Sequence, residues 1–134
     1  MPKQTINPPD LFNSVQFGFS QIVTASGSKT VYISGQVAWN AQQEIVGGDD
    51  LEKQTHQSLR NVECALQAAD GSLSNVVSLR IYFVDAKRDD IGCISRALLT
   101  FFPNDDLPAM SLIGVASLAN DAFLVEIETT AVLD

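Results

Sequence analysis

The last third of the chain carries its plainest pattern. In LVEIETTAV (124–132), apolar and other residues alternate with the two-residue period of a strand, whose successive side chains point to opposite faces. Val125, Ile127, Thr129 and Ala131 fall on one face. Leu124, Glu126, Glu128, Thr130 and Val132 fall on the other, so two carboxylates sit on a face that is otherwise largely apolar. A different period governs DDLEKQTHQSLRNVECALQAADG: Leu51, Thr55, Leu59, Val62, Leu66 and Ala69 follow steps of three and four and form one helical stripe. Asp49 and Glu52 fit a capping box at its start, and Gly71 a stop at its end. A second helix is expected from Asp90 to Phe102, with Ile91, Ile94, Leu98 and Phe101 inward and Pro103 ending it.

Strand patterns occupy VQFGFSQIVTA (15–25) and KTVYISGQVAW (29–39), and the SGS between them predicts a hairpin. Gly35 inside the second predicts a bulge or a close approach. NVVSLRIYFVD, LPAMSLIGVASL and AFLVEIETTAVL are further strands, the last two joined by the polar turn AND, whereas the Pro-containing opening should be extended and irregular. The order is β-β-α-β-α-β-β, an α+β domain with two helices on one face of the sheet. Its other face is left uncovered, and a second copy of the chain laid against it would account for the apolar composition.

That composition is 46% hydrophobic and 18% charged over 134 residues, with a mean hydropathy of +0.11. The length fits one domain spanning residues 1–134. No apolar run approaches the roughly 18 residues that would span a bilayer, and the opening lacks a signal pattern, so a cytoplasmic protein is expected. A net charge of −8 with only eight scattered basic residues argues against nucleic acid and anionic membranes as partners. One histidine, no CxxC and no helical ligand pair argue against a metal site, and Cys64 and Cys93 read as two buried or half-buried thiols rather than a disulfide. His56, between Glu52 and Arg60, reads as a solvated helix histidine rather than part of a triad.

The acid pair is the sharper candidate. A carboxylate on an apolar face loses hydration, which disfavours its charge and suits it to general acid–base work. The plainer alternative is a carboxylate that reaches solvent at a strand edge or pairs with a base, and this applies to Glu128 more than to Glu126.

GFSQIV (18–23), VYISGQVAWN (31–40) and LPAMSLIGVASLANDAFLVEIETTAV (107–132) together resemble the Rid family, also called YjgF or L-PSP-like. QSLRNVECALQAADGSLSNVV and YFVD fit its middle region. The resemblance implies a chorismate-mutase-like fold assembled as a homotrimer, with a small-molecule cleft between neighbouring subunits. It also implies hydrolysis of imines or enamines to carbonyl compounds and ammonia, without a cofactor. Carried over by position, Glu126 is the glutamate that directs water and Glu128 the next acid along. Ser34 and Gly35 match the SGQ segment that lines the cleft with backbone groups, and Ser95 falls near an asparagine of the second helix. The family's carboxylate-binding arginine after PA is Met110 here, its tyrosine before SQ is Phe19, and its cysteine two residues beyond the arginine is Leu112. A thioether cannot offer the planar, bidentate fork of a guanidinium.

Trp39, Phe19, Met110 and Leu112 would therefore make the cleft more apolar. Arg80, which interrupts VVSLRIYFVD between Ser78 and Tyr82, is the one cation placed to compensate, or to pair with Glu126 or Glu128. The expectation is a Rid-type hydrolase of a small imine, enamine or related carbonyl compound lacking a free carboxylate, not a standard 2-imino-acid deaminase. The alternative is a trimer that binds a small apolar metabolite without turnover. A ribonuclease, another activity attached to the family, fits the acidic charge and single histidine least.

Overall fold

The computed structural model describes residues 3–85 and 88–134. Along the chain run β1 (Lys3–Ile6), β2 (Ile22–Ala25), β3 (Lys29–Gln36), α1 (Leu51–Ala68), β4 (Val76–Val84), α2 (Gly92–Phe101), β5 (Ala109–Val115) and β6 (Val125–Leu133). Single 3-10 turns lie at Val15–Phe17 and Leu73–Asn75. Four strands form the main sheet in the order β3-β6-β4-β5, with β6 antiparallel to both neighbours and β5 parallel to β4.

The alternation of β6 becomes burial alternation: Val125, Ile127, Thr129, Ala131 and Leu133 are buried, and the residues between them are half-buried. Val125, Ile127 and Ala131 meet Leu59, Val62 and Leu66 of α1 and Ile94, Ala97 and Leu98 of α2 in one core with Leu79, Ile81 and Phe83 of β4. Both helices therefore cover one face of the sheet, as the sequence pattern predicts. The opposite face is more polar than expected. Tyr32, Ser34, Ser78, Arg80, Tyr82, Ser111, Glu126, Glu128 and Thr130 occupy it, because cross-strand partners share a face. Apolar groups are confined to its margins, such as the exposed Ile113.

The amino-terminal region departs from the sequence reading. Residues 15–17 form a 3-10 turn closed by Gly18 at φ 93°, a conformation a strand cannot contain. The remaining strand, β2, pairs antiparallel with β1 rather than forming a hairpin with β3. The supposedly irregular opening thus supplies a sixth strand. Lys3 anchors it, reaching the carbonyl of Ser74 at 2.5 Å and the carboxylate of Asp106 at 2.6 Å. Ser20 then bridges to Ala109 in parallel, so the segment before β2 borders β5. Similarly, β5 and β6 do not pair across the AND turn, because β4 lies between them.

The cap of α1 is Asp50, one residue beyond the expected Asp49, and its side chain accepts from the Lys53 amide at 3.0 Å. At the other end Asp70, not Gly71, takes the left-handed conformation (φ 65°), and the Gly71 amide returns to the Leu66 carbonyl at 2.8 Å. Gln54, fully buried within the apolar stripe, is a polar strap. Its amide donates to the carbonyls of Gly48 (2.7 Å) and Ala122 (2.9 Å), and its oxygen accepts from the Leu124 amide at 2.9 Å. It ties α1 to the loop before it and to the entrance of β6. No helix among the described residues is long and apolar enough to cross a membrane.

Candidate functional site

Glu126 lies on the open face near the start of β6, directly across from Tyr82 of β4. On its other side the β3–β6 register shifts between Ile33 and Gln36, a bulge that contains Ser34 and Gly35. The bulge brings Gly35 against the carboxylate: a Cβ built on Gly35 would stand 2.2 Å from Glu126 Oε2 and 2.6 Å from Cδ. Only glycine leaves that carboxylate where it is. Ser34 is exposed, and its carbonyl accepts from the Gln36 side chain at 3.0 Å.

Gly35 and Glu126 open onto a cavity of about 610 Å³ whose walls include Trp39, Phe123, Asn61 and, from α1, Cys64, Ala65 and Ala68. Trp39 meets Phe123 edge-on with ring centroids 4.9 Å apart. Asn61 fixes the approach to it by donating to the carbonyls of Val37 and Trp39, each at 2.9 Å. The Trp39 indole N–H is buried with no partner among the described residues. The cavity therefore joins a carboxylate to largely apolar walls. Sequence reasoning missed Asn61; the only signal was a polar side chain near the apolar stripe of α1.

Phe19 and Met110 do not join this cavity within one chain. Met110 stands in register with Leu79, on the helix side of the sheet, whereas Glu126 is on the open side. Phe19 and Met110 line a second cavity of about 310 Å³, between the Phe19–Gln21 segment, β5 and β4. Ser20, Gln21, Ser78, Arg80 and Ser111 supply its polar groups, and no acidic residue lines it. Leu112, in register with Ile81, is exposed and lines neither cavity. Ser95 is linked to this end of the molecule through its backbone: its carbonyl oxygen lies 3.0 Å from the position of a Cβ on Gly18, the residue before Phe19.

Arg80 and Glu128 face each other in register, yet no ion pair joins Arg80 to Glu128 or Glu126 among the described residues. Glu128 instead accepts from the Tyr82 hydroxyl at 2.8 Å. That hydrogen bond favours the neutral phenol and raises the Tyr82 pKa above its ordinary value, with Arg80 pulling weakly the other way. His56 packs edge-on against Phe101, centroids 5.6 Å apart, near Lys53 and Arg60 on the outer side of α1. It lines neither of the two cavities above. Cys64 and Cys93 are free thiols; Cys93 is buried as expected, whereas Cys64 is exposed, because it lies on the side of α1 away from the core stripe. Among the described residues no three His, Cys, Asp or Glu side chains converge as a metal site.

A mixed sheet with both helices on one face, and a glutamate held against a bulge glycine on the other, defines a small α+β protein of the Rid kind. The chain belongs to the family described as endoribonuclease L-PSP, whose model matches residues 13–133. It is similar to the RutC family protein UK114 of Drosophila melanogaster, 35% identical over 114 residues that span 84% of this chain and 78% of that protein. A 2-iminobutanoate/2-iminopropanoate deaminase of Dermatophagoides farinae is 29% identical over 133 residues, 99% and 98% of the two chains. Among solved structures, the Rid-family protein YyfB of Yersinia pestis superposes with a TM-score of 0.94 at 42% identity, covering 99% of this chain and 100% of that one. RidA of an Antarctic Psychrobacter superposes at 0.70 with 28% identity, covering 86% and 88%.

Proposed function

We propose that this protein hydrolyses a small imine or enamine to a carbonyl compound and ammonia, in a cleft completed between copies of a homotrimer, with Glu126 directing the water. The observation that carries this reading is the contact of Glu126 with Gly35 at the mouth of an apolar-walled cavity. A water held by the carboxylate gives up a proton to it as its oxygen attacks the imine carbon, forming a carbinolamine. That proton, returned to nitrogen, completes the carbinolamine; the carboxylate then takes the hydroxyl proton and delivers it to nitrogen as the C–N bond breaks, releasing ammonia and leaving the carbonyl. Every atom comes from substrate and water, so the chemistry asks for no cofactor. The Gly35 backbone, Trp39 and Phe123 orient the ligand beside the carboxylate.

Assembly enters because the cavity with Phe19 and Met110 is separate from the cavity with Glu126 in a single chain. A neighbouring copy can bring the two kinds of surface together. Met110 offers no charge, so β5 does not hold a substrate carboxylate as an arginine there would. The apolar walls also favour a second reading, a trimer that binds an apolar metabolite without turnover. A ribonucleolytic reading gains nothing from the site, since His56 and Glu126 line different cavities.

The test is hydrolysis of freshly generated 2-iminopropionate and of an uncharged imine, with the wild-type protein, Glu126→Gln and buffer. Acceleration lost in Glu126→Gln supports the hydrolase. Binding reported by Trp39 fluorescence without acceleration of either compound replaces it with the binding trimer.

A further inference from the structure

A third cavity, of about 300 Å³, lies apart from both cavities above, against the outer side of α1. Lys53, His56 and Arg60 line it at steps of three and four, the spacing that sets helical side chains on one face with Cβ atoms about 5–6 Å apart. Val46 and Gly47, from the loop before α1, complete the wall. Gly47 takes φ 100°, and a Cβ built on it would stand 2.8 Å from the Lys53 Cβ, so only glycine lets the loop close on that stem. Glu52 is the one acid in the lining, and Arg96 of α2 offsets it at 3.6 Å. The carboxylate of nearby Asp50 is committed to the Lys53 amide as the helix cap. Neither Lys53 nor Arg60 makes an ion pair among the described residues. The eight Lys and Arg residues are scattered along the sequence, yet the fold gathers Lys53, Arg60 and Arg96 here with the chain's single histidine.

This grouping works against stability. Like charges three or four residues apart on a helix repel, and a cation in the first turn opposes the positive end of the helix dipole. Lys53 stands in that turn, where an acid would serve the fold better. A local rule broken without a compensating contact marks a place kept for function. We infer that this cavity is a second binding site, separate from the Glu126 cavity, for a small phosphate monoester with a compact apolar body. Lys53 and Arg60 meet the phosphoryl oxygens, the guanidinium taking two of them with its planar fork, and His56 donates from one ring nitrogen even when neutral. Val46, the aliphatic stems of Lys53 and Arg60, and the His56 ring, itself packed on Phe101, supply contact for the apolar body. The volume lies at the small end of the range for ligand sites, and a net charge of −8 repels extended anionic surfaces. A free metabolite therefore fits better than a membrane or a nucleic acid. The inference does not depend on hydrolysis at Glu126.

The chain has one histidine, so the ring signals of His56 report on the site by NMR without ambiguity. Phenyl phosphate is the probe, with phenol as its neutral counterpart, inorganic phosphate as the bare anion, and phosphatidate vesicles carrying the same group on a membrane. Phenyl phosphate should shift the His56 signals saturably and bind about threefold or more tighter than inorganic phosphate, through the apolar contact. Phenol should leave the signals in place. Lys53→Gln and Arg60→Gln should each weaken phenyl phosphate about threefold or more, and Glu52→Gln should tighten it. Lys29→Gln, which removes the same charge from β3, should leave the affinity unchanged, as should Glu126→Gln. Lys53, Arg60 and Lys29 are exposed, so their replacement should leave the fold intact. A response that never saturates, an equal response to phenol, or an equal loss in Lys29→Gln overturns the site. Loss of the response in Glu126→Gln moves the anion to the other cavity and overturns it as well. Binding to phosphatidate vesicles without a response to phenyl phosphate overturns it in favour of a membrane surface.

Discussion

Replacing Gln54 with Met tests the strap that holds the entrance of β6, and with it Glu126. Methionine keeps the unbranched shape and fills the same space but removes both ends of the amide. Three backbone groups lose their side-chain partner: the carbonyls of Gly48 and Ala122 and the amide of Leu124. Gly48 and Ala122 are exposed residues, so water can reach their carbonyls after slight movement, at a cost near the low end of about 1 kcal/mol each. Leu124 is half-buried, and its unsatisfied N–H costs about 1–2 kcal/mol. The sum is about 3 kcal/mol, which for a chain of this size lowers Tm by roughly 10 °C. Urea unfolding followed by Trp39 fluorescence, at one fixed protein concentration, should show a lower midpoint with an unchanged slope. A loss below about 1 kcal/mol would refute the reasoning, since the three groups would then have found other partners or needed none.

Gly35→Ala should leave stability within about 1 kcal/mol, because the clash falls on a flexible carboxylate and Gly35 has no positive φ. It should nevertheless cut turnover at least tenfold by displacing Glu126; unimpaired turnover would separate Gly35 from the site. Glu128→Gln should bring the Tyr82 ionisation down towards its ordinary range. Its hydrogen bond to a charged acceptor stabilises the neutral phenol, so the raised pKa falls when that charge is removed. Phenolate absorbance against pH, with Tyr82→Phe to assign the step among the two tyrosines, reads this directly. Thiol titration should find Cys64 fast and Cys93 slow until urea unfolds the chain, since burial raises the Cys93 thiol pKa and hides it. A bulky label on Cys64, which lines the Glu126 cavity, should block ligand binding there.

Both helices and β6 were legible because their periods persist long enough to separate helix from strand. The stripe from Leu51 to Leu66 and the alternation from Val125 to Leu133 appear in the fold as burial patterns. Strand partners were less legible. The apolar content around Phe17 and Phe19 imitates a strand, but Gly18 at positive φ turns the chain there. Pairing of Lys3–Ile6 with Ile22–Ala25 depends on residues distant in sequence, which no local period records. At the site, the bulge explains why a glycine in SGQ and a glutamate in VEIE meet. Gln54, which is buried, and Asn61, which is half-buried, escaped notice because such amides look like surface residues until their backbone partners are known.

The place of β6 in the sheet also bears on how the protein is made. Of the four main strands it is last in sequence, yet it lies between β3 and β4, with Leu133 returning to pair with Lys29. During synthesis β4 and β5 can join early, while β3 waits without its neighbour until the final strand leaves the ribosome. Through that interval the nascent chain carries open strand edges and an unfinished core, the condition in which chains associate wrongly. Chaperone cover until residues 125–133 emerge should therefore raise the yield of correctly folded protein.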